Sequence, residues 1–148
     1  MNTVDEILDF AIDQEQQAAD FYEDVAQRAE TANMKKMLLD FHEEEKNHKK
    51  ILQNVKTGEH ELTPEQEILD LKISDYLVEV EFSENISYQD ALIVAMKKER
   101  AAYQLYTDMA EKIPESHLRE VLIGLAKEEE KHKLFFETEY DERVMTDN

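Results

Sequence analysis

Apolar residues recur every three or four positions along two long stretches of the chain. Ile7, Leu8, Ala11, Ala18, Tyr22, Val25, Ala26 and Ala29 form one series; Leu92, Ala95, Ala102, Tyr106, Met109, Ala110 and Ile113 form the other. That period predicts an amphipathic helix in each case. Thr3 with Glu6 makes a capping-box pattern at the start of the first, and Ser87 with Asp90 a weaker version at the start of the second. Polar breaks at Glu30–Asn33 and Pro114–His117 are followed by further helical patterning, to about Asn54 and about Tyr140. Breaks this short predict two antiparallel helix hairpins, at about 3–55 and about 87–140. Asp141 to Asn148 read as a short frayed tail.

The two hairpins repeat one another. A shift of 84 residues lays Thr3–Asn54 on Ser87–Thr138 without a gap, matching Leu8 to Leu92, Ala11 to Ala95, Glu15 to Glu99 and Tyr22 to Tyr106. It also matches Leu38 to Leu122, Glu45 to Glu129 and His48 to His132. Between the copies lies a connection of about 56–86. Thr63 and Pro64 there read as a helix start, and Ile68, Leu69, Leu71, Ile73, Tyr76, Leu77, Val78 and Val80 are too apolar for a solvated linker. Short helical pieces along the bundle are expected. The prediction is a single all-α domain over 1–148, a four-helix bundle of two hairpins joined by one long crossover.

Composition supports this and removes several functions. Only two glycines and two prolines interrupt 148 residues, and 41% hydrophobic with 36% charged residues suits a helical globular domain. Without cysteine there is no disulfide, thiolate metal site or thiol nucleophile. A net charge of −19 repels phosphate backbones and anionic lipid, so neither nucleic acid nor membrane is an expected partner. The first residues lack a basic, then apolar, targeting pattern, and the longest apolar run, Ala91 to Met96, is too short to span a bilayer. A cytoplasmic protein is expected.

The candidate chemistry sits where the helical pattern demands core residues. Ala11 and Ala18 flank Glu15; Ala95 and Ala102 flank Glu99. Leu38, Phe41 and Leu52 share a face with Glu45 and His48, as Leu122, Leu125 and Phe136 do with Glu129 and His132. Residues three apart on a helix point the same way, so each Glu-x-x-His pair aims both side chains inward. Four carboxylates facing one core are unfavourable unless partnered, and two divalent cations would partner all of them. Oxygen-rich ligation with one imidazole per metal suits iron or manganese, or a mixed pair, better than zinc. The Glu-x-x-His spacing alone is weak evidence in so acidic a chain. Its recurrence in repeat register, together with Glu15 and Glu99 on core faces, is what chance does not readily supply.

This pattern resembles the ferritin-like carboxylate family, in which two helices give one Glu each and two give Glu-x-x-His. The segments from Ala11 to Tyr22 and from Phe41 to His48, with Ala126 to His132 repeating the second, look most like the rubrerythrin branch. The resemblance implies that Glu15, Glu45, His48, Glu99, Glu129 and His132 bind two iron ions. Glu45 and Glu129 would bridge, while Glu15 with His48 and Glu99 with His132 would be terminal. It further implies reduction of hydrogen peroxide or dioxygen at the metals, with a homodimer plausible. Two departures stand out. Ala102 occupies the place where rubrerythrins carry an extra glutamate linked to an iron shift, and the four-cysteine rubredoxin domain is missing, so a separate, rubredoxin-like protein would donate electrons. The rival functions are a ferroxidase for iron storage or delivery, and a metal-binding module without turnover.

Other residues carry open readings. His42 is either a hydrogen-bond partner behind a ligand or a histidine at the edge of the core. His60 and His117 read as surface residues. Glu44 and Glu128, four before the histidines, could replace the chosen ligands after a small helix rotation. Tyr22 and Tyr106 either line the site or pack with their hydroxyls satisfied. Met34, Met37, Met96 and Met109 read as core filling.

Overall fold

The computed structural model describes residues 2–58, 68–78 and 86–147. Four helices dominate: α1 (Val4–Ala26), α2 (Ala32–Thr57), α3 (Tyr88–Lys112) and α4 (Ser116–Asp147). α1 packs along α2 and α3 along α4, and the two hairpins meet mainly through α1 and α3. The all-α four-helix bundle is therefore the architecture.

Local chemistry sets the helix starts. The Thr3 hydroxyl accepts the Glu6 N–H and the Glu6 carboxylate accepts the Thr3 N–H, both at 3.1 Å, which completes the capping box. At α3 the Ser87 hydroxyl accepts the Asp90 N–H at 3.0 Å. The connections differ slightly from the polar breaks in the sequence. α2 begins at Ala32 because the Thr31 hydroxyl takes the Met34 N–H. α4 begins at Ser116 because the Glu115 carboxylate accepts the N–H groups of His117 and Leu118. These backbone donors also hold the Glu115 carboxyl below its usual range.

The crossover differs more. Its described part contains one 3₁₀ turn, Ile73–Tyr76, and a two-residue strand β2 (Ile68–Leu69) paired antiparallel with β1 (Asn2–Thr3). The Asn2 side-chain amide adds a bond to the Leu71 carbonyl at 2.9 Å. The extended residues ahead of α1 offer free backbone groups, and the apolar crossover supplies the matching edge. The expected helix start at Thr63–Pro64, with His60 and Val80, lies outside the described residues. At the other end α4 continues as helix to Asp147, past the end expected near Tyr140. Arg143 helps to anchor this extension, pairing with Glu30 at 2.6 Å and lying 4.7 Å from the centre of the Tyr88 ring.

The core is divided. One apolar lobe gathers Leu8, Leu52, Leu105, Tyr106, Met109, Leu122 and Leu125; the other gathers Phe21, Tyr22, Leu38, Phe41, Leu92 and Phe136. Met109 is buried within the first lobe, while Met34, Met37 and Met96 pack at the margin of the second. Between the lobes lies a layer of acids and imidazoles.

Candidate metal centre

Six polar side chains make that layer, each almost fully removed from solvent. Glu15, Glu45, Glu99 and Glu129 are 1–2% exposed, His48 is 4% and His132 is 2%. They face the core because residues one or two turns away are apolar and buried: Ala11 and Ala18 about Glu15, Leu38 and Phe41 before Glu45, Leu122 and Leu125 before Glu129. Alanine on α1 and α3 leaves room beside the carboxylates.

Their ligand atoms fall into two groups. Glu15, Glu45, His48 and Glu129 place one donor atom each within 4.8 Å of one another, as do Glu45, Glu99, Glu129 and His132. Glu45 and Glu129 belong to both groups. Each group draws three members from one hairpin and one from the other.

Two tyrosines brace the layer across the hairpins. The Tyr106 hydroxyl on α3 donates to Glu15 Oε1 at 2.5 Å, and the Tyr22 hydroxyl on α1 donates to Glu99 Oε1. Burial, then the charges of these same carboxylates, pushes both phenols far above their usual range, so both stay protonated donors. His48 Nδ1 lies 2.6 Å from Glu129 Oε1, with Glu45 at 3.5 Å and Glu15 at 3.6 Å. His132 Nδ1 lies 3.1 Å from Glu45 Oε1 and 3.5 Å from Glu99 Oε1, while its Nε2 is 2.5 Å from Glu44 Oε2.

The cluster is short of positive charge. Glu15 Oε2, Glu45 Oε1, Glu99 Oε2, Glu129 Oε2 and His132 Nδ1 are buried without a hydrogen-bond partner. A buried polar atom left unpaired costs about 1–3 kcal/mol, more when charged. Burial and the charges of Glu15 and Glu99 push the Glu45 carboxyl well above its usual range. Burial does the same to Glu129, aided by the charges of Glu15, Glu45 and Glu99. Burial also opposes ionisation of Glu15, but contacts with His48, Glu45 and Tyr106 outweigh it and hold this carboxyl low. Burial opposes protonation of His132 as well, yet Glu99 and Glu44 raise its pKa overall. An acid-rich layer with five orphaned donor atoms in two overlapping groups fits a dinuclear cation site.

A narrow cavity reaches this layer from between α1 and α3. Glu15, Glu45, Glu99 and Glu129 lie on its floor, and Ala11, Ala18, Ala101 and Ala102 are among its walls. Tyr76 and Val78 of the crossover line it too, and the Tyr76 hydroxyl donates to Asp108 of α3 at 2.6 Å. Space open to a water-sized molecule is only about 30 Å³.

The remaining candidates have simpler fates. His42 Nδ1 lies 2.6 Å from the Ala19 carbonyl and its Nε2 3.2 Å from Glu23, so it ties α2 to α1 away from the layer. His117 is exposed. Glu44 is half-exposed and meets the back of His132, with Glu128 close by. The crossed tyrosine bonds and the Glu44 contact were not specified by helical spacing, which registers faces within a helix but not which side chains meet between helices.

Comparison with known proteins agrees with this fold. The model of the Rubrerythrin family matches residues 6–140. The fold is similar to a hypothetical protein of Pyrococcus furiosus, 26% identical with a TM-score of 0.71, over 93% of this chain and 87% of that one. It is also similar to a protein of Thermotoga maritima named as a candidate ferritin-like diiron-carboxylate protein, 17% identical with a TM-score of 0.75, over 95% and 96% of the two chains. No curated protein matches. Among the described residues no helix is long and apolar enough to cross a membrane.

Proposed function

Because the chain belongs to the rubrerythrin family, we propose that its six buried ligands hold two iron ions and reduce hydrogen peroxide, or dioxygen, with electrons from an external protein donor. The five unpartnered donor atoms, arranged in two groups that share Glu45 and Glu129, carry this reading. Glu45 and Glu129, common to both groups, would hold both ions, while Glu15 with His48 and Glu99 with His132 would each hold one. When bound, the iron pair supplies the two electrons that, with two protons, convert hydrogen peroxide to two waters.

The protein's own residues provide position and exclusion. Tyr106 and Tyr22 each hold one oxygen of Glu15 and Glu99, which leaves the second oxygen of each, now unpartnered, for the cation. The alanine-walled cavity supports a small oxidant, since 30 Å³ excludes bulky organic substrates. The Ala102 side chain adds no ligand at its wall, so the centre works with the six. Stopped-flow oxidation of the diferrous protein tests this. Peroxide consumption much faster than with free ferrous ion is expected, and an equal rate would overturn the reading.

A second reading, iron oxidation for storage or delivery, draws support from a groove between α2 and α4. Glu43, Glu44, Glu120 and Glu128 line it with His48, a set suited to attracting cations. Particle mass and iron per chain separate the two: a large assembly holding hundreds of irons would favour storage.

A further inference from the structure

The repeat register makes the two hairpins comparable position by position, and the two histidines are not held alike. His132 Nε2 meets the Glu44 carboxylate at 2.5 Å, and the Phe41 ring packs on the imidazole with centroids 4.2 Å apart. The positions equivalent to Glu44 and Phe41 in the other copy are Glu128 and Leu125. Among the described residues no carboxylate reaches Nε2 of His48, and Leu125 offers no ring. Glu128 instead lies near Glu44 on the His132 side. The inward nitrogens differ as well. His48 Nδ1 is bound to Glu129 at 2.6 Å, whereas His132 Nδ1 makes no hydrogen bond, its nearest carboxylate oxygen being that of Glu45 at 3.1 Å.

We propose that Glu44 is a positioning residue for His132, and that the cation position formed with Glu99 and His132 fills before the one formed with Glu15 and His48. A carboxylate on Nε2 keeps the proton there, so Nδ1 presents its lone pair to the cation, and the bond makes the imidazole a stronger donor. The Phe41 ring limits rotation, so less freedom is lost on ligation. His48 has neither support, and its contact with Glu129 must break before Nδ1 can ligate. The inference rests on the dinuclear reading above.

Zinc is the probe, because it is diamagnetic and has no redox chemistry. In metal-free protein with ¹⁵N-labelled histidine, at a pH where the imidazole is neutral, His132 should carry its proton on Nε2. On substoichiometric zinc the His132 Nδ1 resonance should shift before that of His48. Glu44→Ala should mix the His132 tautomers and weaken the tighter zinc site about 10- to 100-fold. Glu44→Gln keeps an acceptor oxygen and should retain the tautomer with a smaller loss. Asp40→Asn removes the same charge one turn earlier on α2, outside the acidic groove, and should change zinc affinity less than about threefold, as expected for an exposed side chain. Glu44 is half-exposed, so these variants should fold. His48 shifting first or together with His132, or Glu44→Ala behaving like Asp40→Asn, would overturn the inference alone. A wild-type chain that takes up no metal would overturn the dinuclear reading beneath it.

Discussion

Tyr22 on α1 donates its hydroxyl to Glu99 on α3, and Tyr106 on α3 returns the same bond to Glu15 on α1. Each hairpin therefore holds a buried carboxylate of the other. Tyr22→Phe should leave Glu99 Oε1 without its donor and lower metal-free stability by about 1.5–3 kcal/mol, the usual worth of a hydrogen bond to a charged group. Tyr106→Phe should act similarly through Glu15. Denaturant midpoints of the two variants check this; unchanged midpoints in both would mean the bonds contribute nothing.

Shared and unshared ligands should separate in metal content. Glu45 belongs to both donor groups and Glu15 to one. Glu15→Ala should keep close to one tightly held metal per chain, whereas Glu45→Ala should weaken both positions. Elemental analysis after exhaustive dialysis distinguishes the two, and equal loss in both variants would argue against Glu45 as a bridge.

Stability of the metal-free protein should fall as pH rises from acid to neutral. Glu45 and Glu129 have folded pKa values pushed well above the ordinary carboxylate range, so the folded state binds more protons than the unfolded chain. Their contribution is fully present below the unfolded carboxylate value, about 4.3, and is lost as pH climbs through the raised values. His132, also raised, acts in the same direction at higher pH. Glu15, held low, acts oppositely, its stabilisation being lost as pH falls. The two strongly raised carboxyls should dominate. Thermal melts across pH should show the decline in chelated protein, a shallower decline in Glu45→Gln, and proton release on metal addition.

Packing beside the layer should matter as much as the ligands do. Phe136 is fully buried and stacks on Tyr22 with ring centres 5.3 Å apart. Phe136→Ala should cost about 3–5 kcal/mol. Removing the α1 cap with Thr3→Ala should cost about 1 kcal/mol. Chemical denaturation of metal-free protein measures both, and the ordering of the two is the firmer expectation.

The hairpins and the inward placement of the six polar residues were legible in the sequence, because both follow from helical period and repeat register. Glu15 between Ala11 and Ala18 can face only the core if those alanines do. The β1–β2 pairing was not legible, since two residues carry no alternation to read. The end of α4 was misjudged because Asp141 and Glu142 look solvated, while the Arg143 contacts with Glu30 and Tyr88 that favour continuation come from distant chain. The service of Glu44 to His132 was hidden for the same reason: it joins α2 to α4, and spacing along one helix says nothing of its neighbour.

Neither hairpin alone completes either donor group, since each group borrows one glutamate from the opposite copy. Two identical, separate hairpins docked about a twofold axis would offer the same six donors, but every change in one would be forced on the other. Tethering the copies lifts that constraint. It is what allows Phe41 and Leu125, equivalent in the repeat, to differ, so that one half of the donor layer can be tuned without the other.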